Sequence, residues 1–162
     1  MKWVPQAARV AVAILALAGC GHLVVLHDPL VASEHNDLGV VYERAGRTEL
    51  AAREYRKALR LDPKLTIARV NLGNLAAGRG KWREAERCYR AALRIRADDP
   101  DALNNLALAL VRQGRGLDEA ERLAGRALAL GGRDSLYQAT LDEVRLARSG
   151  AAPRPGREAP RR

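Results

Sequence analysis

The sequence predicts an all-α protein built as a solenoid of stacked helical hairpins. Leu38, Leu72 and Leu106 are spaced 34 residues apart, and each is followed by glycine or alanine. Later in each unit, small and large side chains recur at positions i, i+4 and i+7, which places them on one face of a helix. Phenylalanine is absent, and β-branched runs are short after the first 26 residues. A repeated unit of two helices therefore accounts for the middle of the chain.

Small residues at two places in each unit predict how the two helices of a hairpin meet. Glycines between the helices can adopt the positive φ that ends a helix. Because neither helix buries its apolar stripe alone, the units must stack. The turns are Gly46-Arg47, Gly80-Lys81 and Gly114-Arg115-Gly116. We expect close helix contact where a small first-helix residue faces a second-helix alanine, in the pairs Gly39 with Ala51, Gly73 with Ala85 and Ala107 with Ala120.

The spacing L-G-x-x-Y, then A-x-x-x-Y-x-x-A, then P, at a period of 34 residues, resembles the tetratricopeptide repeat (TPR). The resemblance extends from about Pro29 to Leu130. It implies a TPR-type solenoid that binds other proteins, within a domain spanning 29–148. The implied repeats lie at about 29–62, 63–97 and 98–131.

The chain departs from the family pattern at a few positions. The tryptophan-like position of the first helix holds His35, Arg69 and Leu103 in the three copies. The third copy has Ala124 where the others have a second-helix tyrosine, and it contains one extra turn residue. These departures bear on how the helices of the copies pack and leave the predicted fold unchanged.

Asp-Pro pairs and a final amphipathic segment predict where helices begin and where the solenoid ends. Asp28-Pro29, Asp62-Pro63 and Asp99-Pro100 each have the form of an N-cap followed by a first-turn proline. A further helix over 134–148 has Asp142 and Arg145 where the first copy has Gly39 and Tyr42. Polar groups there fit only a helix that no partner covers, so this is a C-terminal capping helix. Residues 149–162, rich in Pro, Gly and Arg, predict a disordered basic tail.

The amino terminus predicts a secretory signal. Lys2 and Arg9 precede an uncharged apolar run from Val10 to Leu17, and the sequence L-A-G-C ends at Cys20. This ending resembles the lipobox of bacterial lipoproteins, which implies a signal peptide over 1–19 and lipid attachment at Cys20. Two alternatives are a plain signal with a coincidental cysteine and an uncleaved anchor over Val10–Leu26, near the lower limit for spanning a bilayer.

Lipid attachment at Cys20 would anchor the protein to a membrane, outside the cytoplasm. The linker, 20–28, reaches roughly 30 Å when extended, so the repeats would lie close to the membrane. Gly21 follows the cysteine, and the absence of Asp there favours, by resemblance, the periplasmic face of the outer membrane. We therefore expect a location in the bacterial cell envelope.

The positive charge does not predict a nucleic-acid partner. The formal net charge is +9, but the signal segment and the last twelve residues carry much of it. Arg83, Arg87, Arg90 and Arg94 follow one face of a second helix. That face is either solvated, or turned toward anionic lipid or an acidic partner. Acid-to-arginine pairs four residues apart are expected to support it, namely Glu49 with Arg53, Glu86 with Arg90 and Asp118 with Arg122.

The first helices of such stacks line a concave surface, and the resemblance transfers its positions to this chain. Amide side chains can donate to and accept from a peptide backbone, and aliphatic side chains offer apolar contact. The predicted peptide-binding groove comprises Asn36, Val40, Val70, Asn71, Asn74, Asn104, Asn105 and Leu108, with Glu43 beside them. Asn71 and Asn105 could instead satisfy groups within the stack. Because Asn36, Val40, Asn104 and Leu108 occupy the places where some family members have Lys or Arg, we do not expect a carboxylate clamp.

No enzyme signature is present in the sequence. His22, His27 and His35 lack metal-ligand spacing, and no glycine-rich phosphate loop occurs. Cys88 would be the one thiol left after lipidation, and it has no nearby base, so we expect a structural role for it. We predict a lipid-anchored adaptor without cofactor, metal or nucleic acid, whose partners are other proteins and the membrane. The alternative is a homo-oligomer that builds a structural assembly of the envelope.

Overall fold

The computed structural model describes residues 30–132 and 135–150. This part of the chain forms seven helices and no strand, which confirms the predicted all-α hairpin solenoid. The predicted signal peptide, Cys20, the linker and Asp28-Pro29 lie outside it, as do residues 151–162 of the predicted tail. The helices are α1 (Ala32–Arg44), α2 (Thr48–Leu61), α3 (Thr66–Gly78), α4 (Trp82–Leu93), α5 (Pro100–Arg112), α6 (Leu117–Gly131) and α7 (Ser135–Arg148).

The helices pair as three hairpins, α1 with α2, α3 with α4 and α5 with α6, and α7 packs on the last pair. Adjacent first helices also contact one another, α1 with α3, α3 with α5 and α5 with α7. Within the described ranges, the backbones of α2 and α4 do not approach each other closely, nor do those of α4 and α6, which meet only through side chains such as Arg90 and Glu119. The stack therefore curves with its first helices on the inner face and its second helices spread along the outer face. None of these helices is long and apolar enough to cross a membrane.

The hairpin turns end their helices as the glycines predict. Gly46 and Gly80 have φ values of 71° and 70°, a region that L side chains rarely adopt. In the first turn the Gly46 N–H donates to the carbonyl of Glu43, and the next N–H donates to Tyr42 at 2.8 Å. These bonds satisfy carbonyls that the last turn of α1 would leave open.

Only one of the two described Asp-Pro pairs begins a helix. Asp99 is the N-cap of α5, where its Oδ1 accepts from the Ala102 N–H at 3.0 Å and Pro100 follows. Asp62 instead ends α2, and its carboxylate accepts from the Lys64 N–H at 2.8 Å within the loop. The prediction was wrong at Asp62-Pro63 because that pair lies 37 residues before Asp99-Pro100, three residues out of phase with the repeat. There the Asp side chain closes a turn instead.

A close contact between glycine and tyrosine sets the spacing within the first two hairpins. A Cβ added to Gly39 would lie 2.5 Å from the Cε1 of Tyr55, and one added to Gly73 would lie 2.6 Å from the Cε1 of Tyr89. The first-helix glycines therefore face tyrosine rings, where we had expected the alanines at 51 and 85. Those alanines and Ala120 are fully buried beside the contact. The third hairpin has Ala107 and Ala124, both fully buried, so a small pair replaces the glycine and the ring.

An ionic cluster joins the second hairpin to the third. Glu86 is buried, and it accepts from Arg90 Nε at 2.9 Å, from Gln113 Nε2 at 3.0 Å and from Arg115. Arg90 also binds Glu119 with both terminal nitrogens, at 2.7 and 2.9 Å. Burial alone would raise the pKa of Glu86, but the bonds from Gln113 and Arg90 and the charge of Arg115 outweigh it and lower that pKa. The bond from Arg90 lowers the pKa of Glu119 as well.

Of the three acid-to-arginine pairs expected within second helices, only Glu86 with Arg90 forms an ion pair. Glu49 instead binds Arg79 at 2.9 Å, and Asp118 binds Arg148 at 3.0 Å. Arginines from other helices reach these carboxylates. Arg53 and Arg122 are thus left without the partners that the sequence predicted.

Gly73→Ala is expected to destabilise the native chain. Overpacking against Tyr89 costs about 1–3 kcal/mol, more than the gain of about 1 kcal/mol from helix propensity. In a Tyr89→Ala background the ring is gone and only the Cβ of Cys88, 3.1 Å from the added Cβ, remains close, so the same change should destabilise less than in the native chain. Urea denaturation of the four proteins measures both effects. Equal changes in the two backgrounds would contradict the contact.

The junction between the second and third hairpins is expected to lose stability in acid. Because the folded pKa values of Glu86 and Glu119 lie below their unfolded values, these carboxylates stabilise the fold above about pH 4.3 and lose that contribution as pH falls through the folded values. Glu86→Gln should lower the free energy of unfolding at pH 7 by about 1–2 kcal/mol and flatten the decline below pH 4.5. Denaturation at pH 7, 5 and 3.5 measures this. The exposed change Glu49→Gln is the control, and an equal flattening there would refute the assignment.

Candidate peptide-binding face

The eight predicted groove residues lie on the first helices, but the structure divides them into two groups. Val40, Asn71, Asn74, Asn105 and Leu108 are half-buried and reach the inner surface. Asn36, Val70 and Asn104 are only 7%, 4% and 2% exposed. The five half-buried residues span all three hairpins, so the inner face retains a continuous polar and aliphatic strip.

Val70 and Asn104 belong to the interior, contrary to the prediction that they line an open groove. Val70 joins the core cluster that includes Leu106 and Ala107 of the next first helix. This burial follows from the contact between α3 and α5, which a helical period alone does not specify. Asn104 donates to Asn105 at 3.4 Å, while its buried Oδ1 receives no hydrogen bond from the described residues.

Carboxamides connect the first helices across both junctions between hairpins. Asn71 Nδ2 donates to Asn36 Oδ1 at 3.0 Å, which links α3 to α1. Asn105 Nδ2 donates to Asn74 Oδ1 at 3.0 Å, which links α5 to α3. The sequence-based alternative assigned Asn71 and Asn105 to groups within the stack. Their partners are other asparagine side chains.

These links fix the carboxamides and leave two of their atoms unused. Asn74 Oδ1 also accepts from the Tyr89 hydroxyl at 2.9 Å, so that oxygen has two donors. Asn74 Nδ2 and Asn71 Oδ1 have no hydrogen-bond partner within 30–132 and 135–150. One is a donor and the other an acceptor, and they lie one helical turn apart on α3. A peptide unit offers one carbonyl and one N–H, the complementary pair.

Tyrosine hydroxyls support the inner face, a role that sequence reasoning missed. Tyr89 holds Asn74, and Tyr55 donates to Glu43 Oε2 at 2.6 Å. Burial, then the hydrogen bond to Glu43, raises the pKa of Tyr55 above its ordinary value, and burial raises that of Tyr89. Both hydroxyls therefore remain protonated donors. The repeat pattern predicted only that each tyrosine ring is buried. The signal that could have revealed the hydrogen bonds was a polar first-helix residue, 12 positions before Tyr55 and 15 positions before Tyr89.

The strip carries no lysine or arginine. Arg112, at the end of α5, bonds to Glu143 of α7. Near the first hairpin, Asp37 is exposed, and Asp101 on α5 accepts from the Tyr137 hydroxyl at 2.7 Å. This charge distribution does not favour a carboxylate ligand, which agrees with the residues at the clamp positions.

Two other side chains that could carry chemistry, His35 and Cys88, are buried or half-buried within the fold. His35, 1% exposed, binds Glu54 through Nδ1 at 2.7 Å. Cys88 is half-buried, and burial, with the nearby charge of Glu84, raises the pKa of its thiol. A thiol with a raised pKa is a poor nucleophile at neutral pH. Among the described residues, no group of three metal-binding side chains comes together.

Solved structures with the same arrangement of helices are TPR domains. The first TPR of Spaghetti (RPAP3) bound to the HSP90 peptide SRMEEVD is 20% identical and has a TM-score of 0.69, with 73% of this chain and 93% of that chain covered. The second TPR domain of human RPAP3, in complex with the HSP70 peptide SGPTIEEVD, is 20% identical, with a TM-score of 0.65 and coverage of 70% and 94%. The first TPR domain of human RPAP3 gives 20%, 0.69, 74% and 94%. At this identity the likeness shows the fold.

Family models match the chain at the sequence level. A tetratricopeptide repeat model matches residues 32–65, a TPR repeat model matches 77–114, and a second tetratricopeptide repeat model matches 101–133. No curated protein matches the chain. The three matches together cover more than half of the 162 residues; those at 32–65 and 101–133 coincide with the first and third hairpins, and that at 77–114 spans α4 and α5. The chain belongs to the tetratricopeptide repeat family.

Proposed function

We propose that the protein is a lipid-anchored adaptor that binds peptide segments of other envelope proteins on its inner face and so supports the assembly of complexes. The observation that carries the proposal is the fixed pair on α3, the Asn74 donor and the Asn71 acceptor. Both are held by neighbouring carboxamides and open to the inner surface. A preorganised donor and acceptor loses little entropy when it binds a peptide backbone.

The chemistry of the strip favours a neutral or basic peptide. The peptides in the similar RPAP3 structures, SRMEEVD and SGPTIEEVD, each contain three acidic residues. Here the corresponding strip consists of asparagine, valine and leucine, and the exposed Asp37 lies at its first hairpin. Val40 and Leu108, half-buried at its two ends, would contact apolar side chains of the ligand.

The membrane anchor is proposed from the amino-terminal sequence. Residues 17–20 read L-A-G-C after an apolar run, and lipidation of Cys20 would attach the repeats to the envelope. With two or more acyl chains, attachment is stable. We place the protein on the periplasmic face of the outer membrane. Self-association, the alternative drawn from the sequence, stays a prediction.

Asn74→Asp is expected to weaken peptide capture without loosening the fold. An aspartate keeps the oxygen that accepts from Tyr89 and Asn105, but it removes the free Nδ2 donor. Affinity capture from envelope extract should then recover at least tenfold less of any protein held through this donor, the loss expected for one hydrogen bond left unmade.

Tyr89→Phe is the matched control, because it removes a bond to the same carboxamide and leaves the donor in place. It should lower stability and, because Asn105 still holds the carboxamide, reduce capture less than Asn74→Asp does. Capture that is unchanged by Asn74→Asp, or lost equally in both variants, would contradict the assignment of the inner face.

Cys20→Ser is expected to release the protein from the membrane fraction of its native host. Without the thiol no acyl chain can be attached, and the repeats lack a spanning helix in the part that the structure describes. Fractionation, with mass spectrometry of residue 20 in the native protein, measures the effect. Cys88→Ser is the control and should not change the distribution. An unmodified residue 20 would remove the lipid anchor from the proposal.

A further inference from the structure

The outer face carries arginines at one equivalent position of every second helix. Arg53 and Arg87 are 34 residues apart, and Arg122 follows after 35, the period plus the extra turn residue of the third copy. All three are exposed on the outer helices α2, α4 and α6. None of them has an ion pair or hydrogen bond with another described residue. They form a row along the solenoid, which we call the outer arginine row.

The row is distinguished by its recurrence at one position of each outer helix. Some of the other described arginines are paired, as Arg90 is with Glu86 and Glu119, and others, such as Arg44 and Arg60, have no ion pair among the described residues. The carboxylates four residues before Arg53 and Arg122, Glu49 and Asp118, are bound by Arg79 and Arg148 instead. The three guanidinium groups of the row therefore remain exposed and free of ion pairs with the described residues.

Further cations widen the row at its centre. Lys81, Arg83 and Arg87 line a cavity of about 620 Å³ beside the first turn of α4, together with the indole of Trp82. Glu84 is the one carboxylate in its lining, and Arg115, across the cavity, is already held by Glu86. On α2, the exposed Arg56 lies one helical turn after Arg53 and adds a further cation.

Such a surface fits the phosphates of a lipid bilayer. Guanidinium groups bind phosphate oxygens through paired donors, and weak hydration makes them suited to an interface. The cations extend over three hairpins on the convex side, a broad distribution that matches many head groups more readily than one anionic segment. The cavity has room for a head group beside Trp82, an aromatic side chain that is common at membrane interfaces.

We propose that the outer arginine row, with the adjoining cavity, binds the anionic phospholipid head groups of the membrane to which the protein is tethered. The proposal rests on the proposed lipid anchor for its location, since a linker over 20–28 keeps the repeats within roughly 30 Å of the bilayer. With the outer face against the membrane, the inner face points away from it, open to peptide segments of partner proteins.

The test uses residues 21–162, which contain every described residue and lack both the predicted signal and Cys20. Binding is measured by co-sedimentation with phosphatidylglycerol vesicles and with neutral phosphatidylcholine vesicles. The native sequence should prefer phosphatidylglycerol and lose binding as salt rises. Replacing Arg53, Arg87 and Arg122 together by Gln should weaken it on the order of a hundredfold, at about fivefold for each cation.

The matched control removes the same charge from the hairpin ends, by Arg44→Gln, Arg47→Gln and Lys64→Gln, and should change the affinity by less than about threefold. Circular dichroism and melting verify that both variants fold. Equal binding to the two lipids, or equal losses in the two variants, would overturn the proposal. So would binding to poly-glutamate without binding to phosphatidylglycerol, which would assign the face to an acidic protein. Because this chain carries no Cys20, a failure of lipid anchoring in the host leaves the result unaffected.

Discussion

The contact between a first-helix glycine and a second-helix tyrosine governs both the packing and the inner face of this protein. The ring occupies the space where a glycine side chain would be, at Gly39 and at Gly73, so the two helices of a hairpin lie close together. The same tyrosine passes through the hairpin and places its hydroxyl on a polar residue of the first helix, Glu43 or Asn74. One side chain thus fixes the distance between helices and orients the surface that a ligand would meet.

A second pair of equivalent positions, one on each helix of the hairpin, is filled by different residues in the three copies. At the position where the family pattern has tryptophan, His35 faces Glu54 and forms a buried hydrogen bond with it. The equivalent positions in the second copy hold Arg69, which donates to the Pro63 carbonyl, and the half-buried Cys88. In the third copy both residues are leucines, at 103 and 123, within one apolar cluster. The hairpin is preserved while the chemistry of these positions changes from polar to apolar.

The sequence was sufficient for the features that depend on local spacing. The 34-residue period located the hairpins, and the glycines between them marked turns that the structure contains. The polar residues Asp142 and Arg145 are exposed on α7, as expected of a helix that no partner covers. These features follow from one or two turns of chain, so a pattern read along the sequence captures them.

The inner face was predicted less well because it depends on contacts between repeats. Helical spacing places Val70 and Asn74 on the same side of α3, yet the approach of α5 buries the first and leaves the second half-buried. The partners of Asn71 and Asn105 lie 35 and 31 residues away, so no local rule specifies them. Long arginine side chains raise the same difficulty, since Arg79 and Arg148 reach carboxylates that nearer arginines were expected to bind.

The two faces of the solenoid differ in what folding leaves unsatisfied. Within the described part of the chain, a donor and an acceptor on the inner face have no hydrogen-bond partner, and three arginines on the outer face have no ion-pair partner. A peptide backbone would satisfy the donor and acceptor of the inner face, and an anionic surface would balance the positive charge of the outer face. The curvature that brings first helices together and spreads the second helices keeps these two surfaces on opposite sides of a thin stack.

The two junctions between hairpins are not equally strong. Around the first, Tyr55 and Leu75 belong to a small apolar cluster of their own, while the larger core runs from Val70 to Val144. The cluster around Glu86 reinforces only the second junction, and α2 contacts α3 less extensively than α4 contacts α5. Local opening begins where the fewest contacts must break. Under tension applied from the amino-terminal end, the first hairpin would therefore peel away as a unit while the rest of the stack stays intact.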